Sequence, residues 1–165
     1  MKTISLELGG KSPNIIFADA DLYAAGKGAF NGSFYGKGEV CNAGSRLFVE
    51  KSVHDSVLEK LLERARKLVP GDPLNPKTRL GALVSRAQME KVLGYVKLGQ
   101  DEGAQAVLPG GRIGESGYFV KPAIFDAVES SMHIAQEEIF GPVLSVLTFE
   151  TMDELVEKAN STIYG

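Results

Sequence analysis

The chain has 165 residues, enough for one domain at roughly 150 residues each. Hydrophobic residues make up 44% and charged residues 24%, the usage of a soluble globular protein, which excludes wholesale disorder, a collagen-like repeat and a disulfide scaffold. Eighteen Lys and Arg against twenty-one Asp and Glu leave a net charge of −3, so electrostatics gives no case for nucleic acid or a membrane surface as partner.

The single cysteine, Cys41, cannot form an internal disulfide. With only two histidines, His54 and His133, a zinc site built from four cysteines, or from a pair of cysteines and a pair of histidines, is impossible, and no metal is expected. No apolar run reaches the roughly 18 residues of a membrane span, and Met1–Glu7 lacks a signal-peptide core. The expected compartment is the cytoplasm.

Strand and helix patterns alternate along the chain. Residues 3–8 (Thr3, Ile4, Leu6, Leu8) predict a strand, and the apolar run Asn14–Ala18 predicts a second. Asp19-Ala20-Asp21 supplies short carboxylates that accept from free N–H groups at a helix start. The helix expected over about 21–36 breaks near Gly36-Lys37-Gly38, and Arg46–Glu50 is the next strand. Val53, Val57, Leu58, Leu61, Leu62, Ala65 and Leu68 recur at spacings of three and four, giving a helix over Ser52–Val69 with one apolar face. The proline-rich loop 70–76 ends it. A second amphipathic helix is expected over about Ser85–Asp101, opened by a capping box of Ser85 and Gln88. Met89, Val92, Leu93 and Val96 form its face. Ala104–Leu108 predicts a strand and Pro109-Gly110-Gly111-Arg112 a turn. Tyr118–Phe125 and Val143–Phe149 are further strands, and Thr151 with Glu154 caps a helix to about Asn160. This alternation predicts an α/β layered fold with a largely parallel sheet and helices on its faces.

Three segments could carry chemistry. In Leu6-Glu7-Leu8-Gly9-Gly10-Lys11-Ser12-Pro13, the Gly-Lys-Ser end imitates a phosphate-binding loop. The first glycine position holds Ser5, however, and Pro13 with an extended run follows where a helix should open. Glu7 is either a solvent-facing charge or a functional carboxylate. Leu6 and Leu8 would face away from it on a strand, and the carboxyl end of such a strand is where ligands usually sit. The second segment is Gly36–Arg46. A lone cysteine is ordinarily a small buried hydrophobe, but Cys41 lies in a Gly-rich break where backbone N–H groups are free to stabilise an oxyanion. Lys37 and Arg46 would favour its thiolate. The third, Gln136–Val143, has adjacent carboxylates Glu137 and Glu138, and nothing local says which of them binds a ligand.

Taken together, Leu6–Pro13, Gly38–Arg46 and Glu137–Val143 resemble the aldehyde dehydrogenase superfamily in order and spacing. Pro70-Gly71-Asp72-Pro73 and the closing Ala159–Gly165 resemble it too, so the likeness covers essentially the whole chain. The resemblance implies that Cys41 is the nucleophile attacking an aldehyde carbonyl and that Glu7 is the general base that activates water on the resulting thioester. It implies that Glu138 binds the nicotinamide ribose of NAD or NADP, that Phe140 packs near the nicotinamide, and that Leu8 and Gly9 lie beside the ring. The family often has Gln where this chain has Glu39. Its members carry an N-terminal dinucleotide-binding domain and an oligomerisation hairpin, and no strand–GxGxxG–helix occurs here. The expectation is therefore a catalytic domain, residues 1–165, from a homo-oligomeric enzyme, incompetent alone for full turnover. The alternatives are a non-catalytic assembly module and a cofactor-free cysteine hydrolase or acyl carrier.

Overall fold

The computed structural model describes residues 2–164. Met1 and Gly165, the last residue of the closing motif, lie outside the described residues. In chain order the elements are β1 (Pro13–Ile16), α1 (Leu22–Phe34), β2 (Arg46–Glu50), α2 (His54–Ala65), α3 (Arg86–Asp101), β3 (Gln105–Arg112), β4 (Val120–Asp126), α4 (His133–Gln136), β5 (Val143–Phe149) and α5 (Met152–Ala159).

The five strands form one sheet in the order β1-β2-β5-β4-β3. Every pairing is parallel except the antiparallel edge pair β3–β4, so the expected layered, largely parallel fold is present. The central strands are largely apolar on both faces because both faces are covered. Side chains alternate between faces. Leu47 and Val49 of β2, Ile124 of β4, and Leu144 and Val146 of β5 pack with Val57 and Leu61 of α2 and Ala29 of α1. Phe48, Phe125, Val143 and Leu147 pack on the other face with Met89, Val92 and Val96 of α3 and Leu155 of α5.

The helix starts follow the sequence chemistry. The Asp21 carboxylate accepts from Tyr23 N and Ala24 N, Ser85 accepts from Gln88 N, and Thr151 accepts from Glu154 N, each satisfying N–H groups that lack intrahelical partners. The Ser85 box is only half realised, since the Gln88 side chain is engaged elsewhere. The helix predicted from Ser52 begins as a 3-10 turn over Lys51–Val53, and its α portion ends at Ala65.

Two expectations are overturned. Residues 3–12 form no strand, and Ile4, Leu6 and Leu8 are 78%, 71% and 71% exposed. Their composition suits a strand, but β1 pairs with β2 only from Pro13 onward. Pro109-Gly110-Gly111-Arg112 is not a turn but the second half of β3, with Pro109 opposite Ala123 and a bulge between Ala106 and Leu108. Edge position makes this possible, because an edge strand tolerates the missing proline N–H.

Candidate active site

Residues 9–12 lead into β1, residues 39–45 into β2 and residues 137–142 into β5. These strands are adjacent and parallel, with Pro13 level with Arg46 and Arg46 level with Ser145. Three segments distant in sequence therefore arrive side by side at the amino ends of three neighbouring strands. This corrects the expectation that Glu7 sits at the carboxyl end of a strand. Glu7 lies instead in the exposed irregular stretch just before Gly9.

The approach between segments is closest at the glycines. Gly10 N donates to Glu138 Oε1 at 3.1 Å. A Cβ on Gly9 would stand 2.5 Å from Glu138 Oε2, and one on Gly10 would stand 2.4 Å from the carbonyl oxygen of Cys41. Gly38 has φ of 71°, and a Cβ there would lie 2.2 Å from Gly141 O. At Gly10 and Gly38 the neighbour is backbone, so only glycine permits the approach, whereas a side chain at position 9 would displace the Glu138 carboxylate. Gly9 and Gly10, the Cys41 backbone and the Glu138 carboxylate thus form one cluster.

Cys41 is exposed, in a turn held by Ala43 N donating to Val40 O at 3.0 Å. Ser33 Oγ, 2.9 Å from both Ala29 O and Gly44 O, ties this loop to α1. The two cations expected to favour the thiolate are engaged elsewhere. Lys37 pairs with Glu39 at 2.9 Å. Arg46, only 2% exposed, donates to Lys11 O, Lys158 O and Ala159 O. The last two carbonyls close α5, where a helix lacks intrahelical donors and favours a cation. Glu39, at the position where Gln is common in the resembled family, has its charge met by Lys37 and accepts from Val84 N at 3.0 Å.

Sequence reasoning missed the support for the third segment. Phe140 has φ of 58°, a left-handed conformation that costs a non-glycine residue about 1–2 kcal/mol. Gln88 Nε2 donates to Ile139 O at 2.9 Å and to Phe140 O at 2.6 Å, and Lys91 Nζ donates to Glu138 O at 2.9 Å. Gln88 and Lys91 lie three apart on α3, so one helical face holds residues 138–140. Tyr95, one turn further along, donates to Glu137. Burial, then the Glu137 carboxylate, pushes its hydroxyl up to about 12.

Lys11 is also unforeseen. It is 2% exposed, and its Nζ has no hydrogen-bond partner among the described residues. Burial, followed by the Arg46 charge, lowers its amine to about 7, against the opposing pull of Glu138 and Glu137. The Gly-Gly-Lys string signalled this lysine, but only as a false phosphate loop.

A groove of about 900 Å3 runs between α1 and α2 past Tyr23, Lys27, Tyr35, Lys60 and Arg64, and its lining includes neither Cys41 nor Glu138. A small cavity of about 10 Å3 lies among Gly10, Gly38, Ser45, Glu138 and Phe140. We place the candidate site at the second, because the three segments converge there. Among the described residues no group of three His, Cys, Asp or Glu is arranged to hold a metal, and no helix is long and apolar enough to cross a membrane.

Known proteins resemble this chain in sequence and fold. The betaine aldehyde dehydrogenase of Mesorhizobium japonicum is 47% identical over 170 residues, covering 100% of this chain and 35% of that protein. An indole-3-acetaldehyde dehydrogenase solved with NAD+ superposes with a TM-score of 0.92 at 52% identity, over 96% of this chain and 33% of that one. The NAD+ complex of an aldehyde dehydrogenase from Bacillus cereus superposes with a TM-score of 0.95 at 47% identity, over 99% of this chain and 33% of that one. The chain spans about a third of the length of the relatives it matches. The profile of the aldehyde dehydrogenase family matches residues 1–165, and the chain belongs to that family.

Proposed function

We propose that this chain is the thiol-bearing catalytic domain of an enzyme that oxidises an aldehyde to a carboxylic acid with NAD(P)+. The observation that carries the reading is the convergence of Gly10, the Cys41 backbone and the Glu138 carboxylate at one end of the sheet. Cys41 adds to the aldehyde carbonyl as a thiolate, forming a carbon–sulfur bond and an oxyanion. The Cys41 backbone N–H donates to that oxyanion. NAD(P)+, when bound, supplies the acceptor for the hydride lost from this carbon. Glu7 then takes a proton from water as its oxygen attacks the Cys41 thioester, and the acid leaves with the sulfur restored as thiolate.

The residues suit a nicotinamide ribose. Glu138 Oε2 retains acceptor capacity for hydroxyl groups, and Gly9 beneath it leaves the space a Cβ would fill. Glu138 would hold the ribose, Phe140 would flank the nicotinamide end, and Leu8 and Gly9 would lie beside the ring. Relatives crystallised with NAD+ support this cofactor. The relatives are named for betaine aldehyde and for indole-3-acetaldehyde, unlike substrates that share only the aldehyde group, so the reading specifies that group alone.

In the proposed arrangement a separate domain holds the adenosine end of the cofactor, and the assembled enzyme is a cytoplasmic homo-oligomer. The apolar side chains of Ile4, Leu6 and Leu8, exposed here, suit coverage by such a domain. The test is hydrolysis of p-nitrophenyl acetate, which needs the thiol and the base but no cofactor. The wild-type chain should hydrolyse it and C41S should not; equal rates would overturn the reading.

A further inference from the structure

Lys11 follows Gly10, whose N–H holds Glu138 Oε1. Its own carbonyl is fixed by Arg46 Nε at 2.8 Å, so the backbone cannot swing the side chain outward. The charged groups facing its amine come from three elements: Arg46 of β2, Lys91 of α3, and Glu137 and Glu138 of the segment entering β5. Most of them are engaged. Arg46 donates to three backbone carbonyls, Lys91 Nζ donates to Glu138 O, and Glu137 accepts from Tyr95. The amine of Lys11 makes no hydrogen bond among the described residues, and of the two carboxylates that favour its ammonium Glu138 acts more strongly than Glu137. A lysine serving only to fill space has no need of a buried amine, since methionine fills the same volume without one.

We infer that Lys11 is a positioning residue for Glu138: its buried ammonium supplies the countercharge that seats the Glu138 carboxylate on the Gly9–Gly10 backbone, where it accepts from the ribose hydroxyls of the nicotinamide cofactor. This rests on the assignment of Glu138 to the ribose. The ammonium acts through space rather than by direct contact, so its effect depends on its being protonated. Protonation is half complete near pH 7, and the seating of Glu138 loosens above that pH.

The reporter is the Gly10 amide, observed by nuclear magnetic resonance in the 165-residue chain. Its shift should titrate with a midpoint near that of Lys11 in the wild type and stay flat in K11M and K11R. Its hydrogen exchange should quicken about tenfold in K11M, the loss of a charge-assisted hydrogen bond, and return to the wild-type rate in K11R. Nicotinamide mononucleotide should bind about tenfold more weakly to K11M and normally to K11R. A Gly10 amide with no inflection near pH 7 in the wild type, or with unchanged protection in K11M, overturns the inference. The E138Q variant separates the two claims. Undiminished binding of the mononucleotide by E138Q would remove the ribose assignment, whereas the Gly10 amide judges Lys11 regardless.

Discussion

Replacing Lys11 with methionine should stabilise the protein, although lysine is the native residue. Burial, followed by the Arg46 charge, lowers the Lys11 amine from 10.5 to about 7. Folding therefore opposes its protonation, and at neutral pH the burial costs roughly 4 kcal/mol. Methionine has nearly the same volume and no charge to desolvate, so K11M recovers about 2–4 kcal/mol, or roughly 10 °C in melting temperature for a domain of this size. The pH dependence has a definite sign. Below the folded value the amine is protonated in both states and the penalty is complete. Between about pH 7 and about pH 10 the unfolded chain binds more protons than the folded one, so the lysine's penalty fades as pH rises. Denaturant unfolding of both proteins across this range should show the advantage of K11M shrinking steadily toward zero. A K11M protein less stable than wild type at neutral pH, or an advantage independent of pH, would refute the reasoning. A stability penalty retained in the native protein agrees with a lysine kept for its action on Glu138.

Three further outcomes are expected. Burial pushes the His54 imidazole down, but the Asp55 and Asp126 carboxylates at 2.8 and 2.9 Å outweigh it and hold it above its ordinary value. Its contribution is thus complete below the unfolded value and is lost as pH rises through the folded one, so H54A should cost about 1–2 kcal/mol in mildly acidic buffer and little in alkaline buffer, by thermal melting. The G10A variant places a methyl 2.4 Å from Cys41 O. It should lose about 1–3 kcal/mol by denaturant unfolding and most of its p-nitrophenyl acetate hydrolysis, whereas G94A, with nothing near its Cβ, should lose neither. Removing both amide bonds to the 139–140 carbonyls in Q88A should cost about 1–2 kcal/mol and quicken proteolysis at Phe140.

The parts of the fold legible in the sequence were those set by local or periodic physics. Residues 46–50 and 143–149 read as strands at their actual limits because they are apolar on both faces, and Asp21, Ser85 and Thr151 marked helix starts through their own side-chain oxygens. Residues 3–8 misled because strand composition does not guarantee a partner strand. Pro109-Gly110-Gly111 misled because turn chemistry also suits a bulged edge strand. At the candidate site, motif singled out the segments that carry Cys41 and Glu138, and the sheet order β1-β2-β5 explains why those segments meet. Long-range pairing stayed hidden. Arg46 beside a cysteine suggested a charge acting on sulfur, yet its Nη1 bonds a carbonyl 112 residues away. Gln88 fitted a cap, but its amide reaches a loop 51 and 52 residues onward. Neither partner has a signature at fixed spacing.

The central claim is that Cys41 and Glu7 act in turn on the same carbonyl carbon. Brief exposure to p-nitrophenyl acetate, acid quenching and peptide mass spectrometry address it most directly. The account predicts one acetyl group on Cys41, fleeting in the wild type, accumulating in E7Q and absent from C41S. An acetyl group on another residue, or equal lifetimes of the Cys41 adduct in wild type and E7Q, would contradict it.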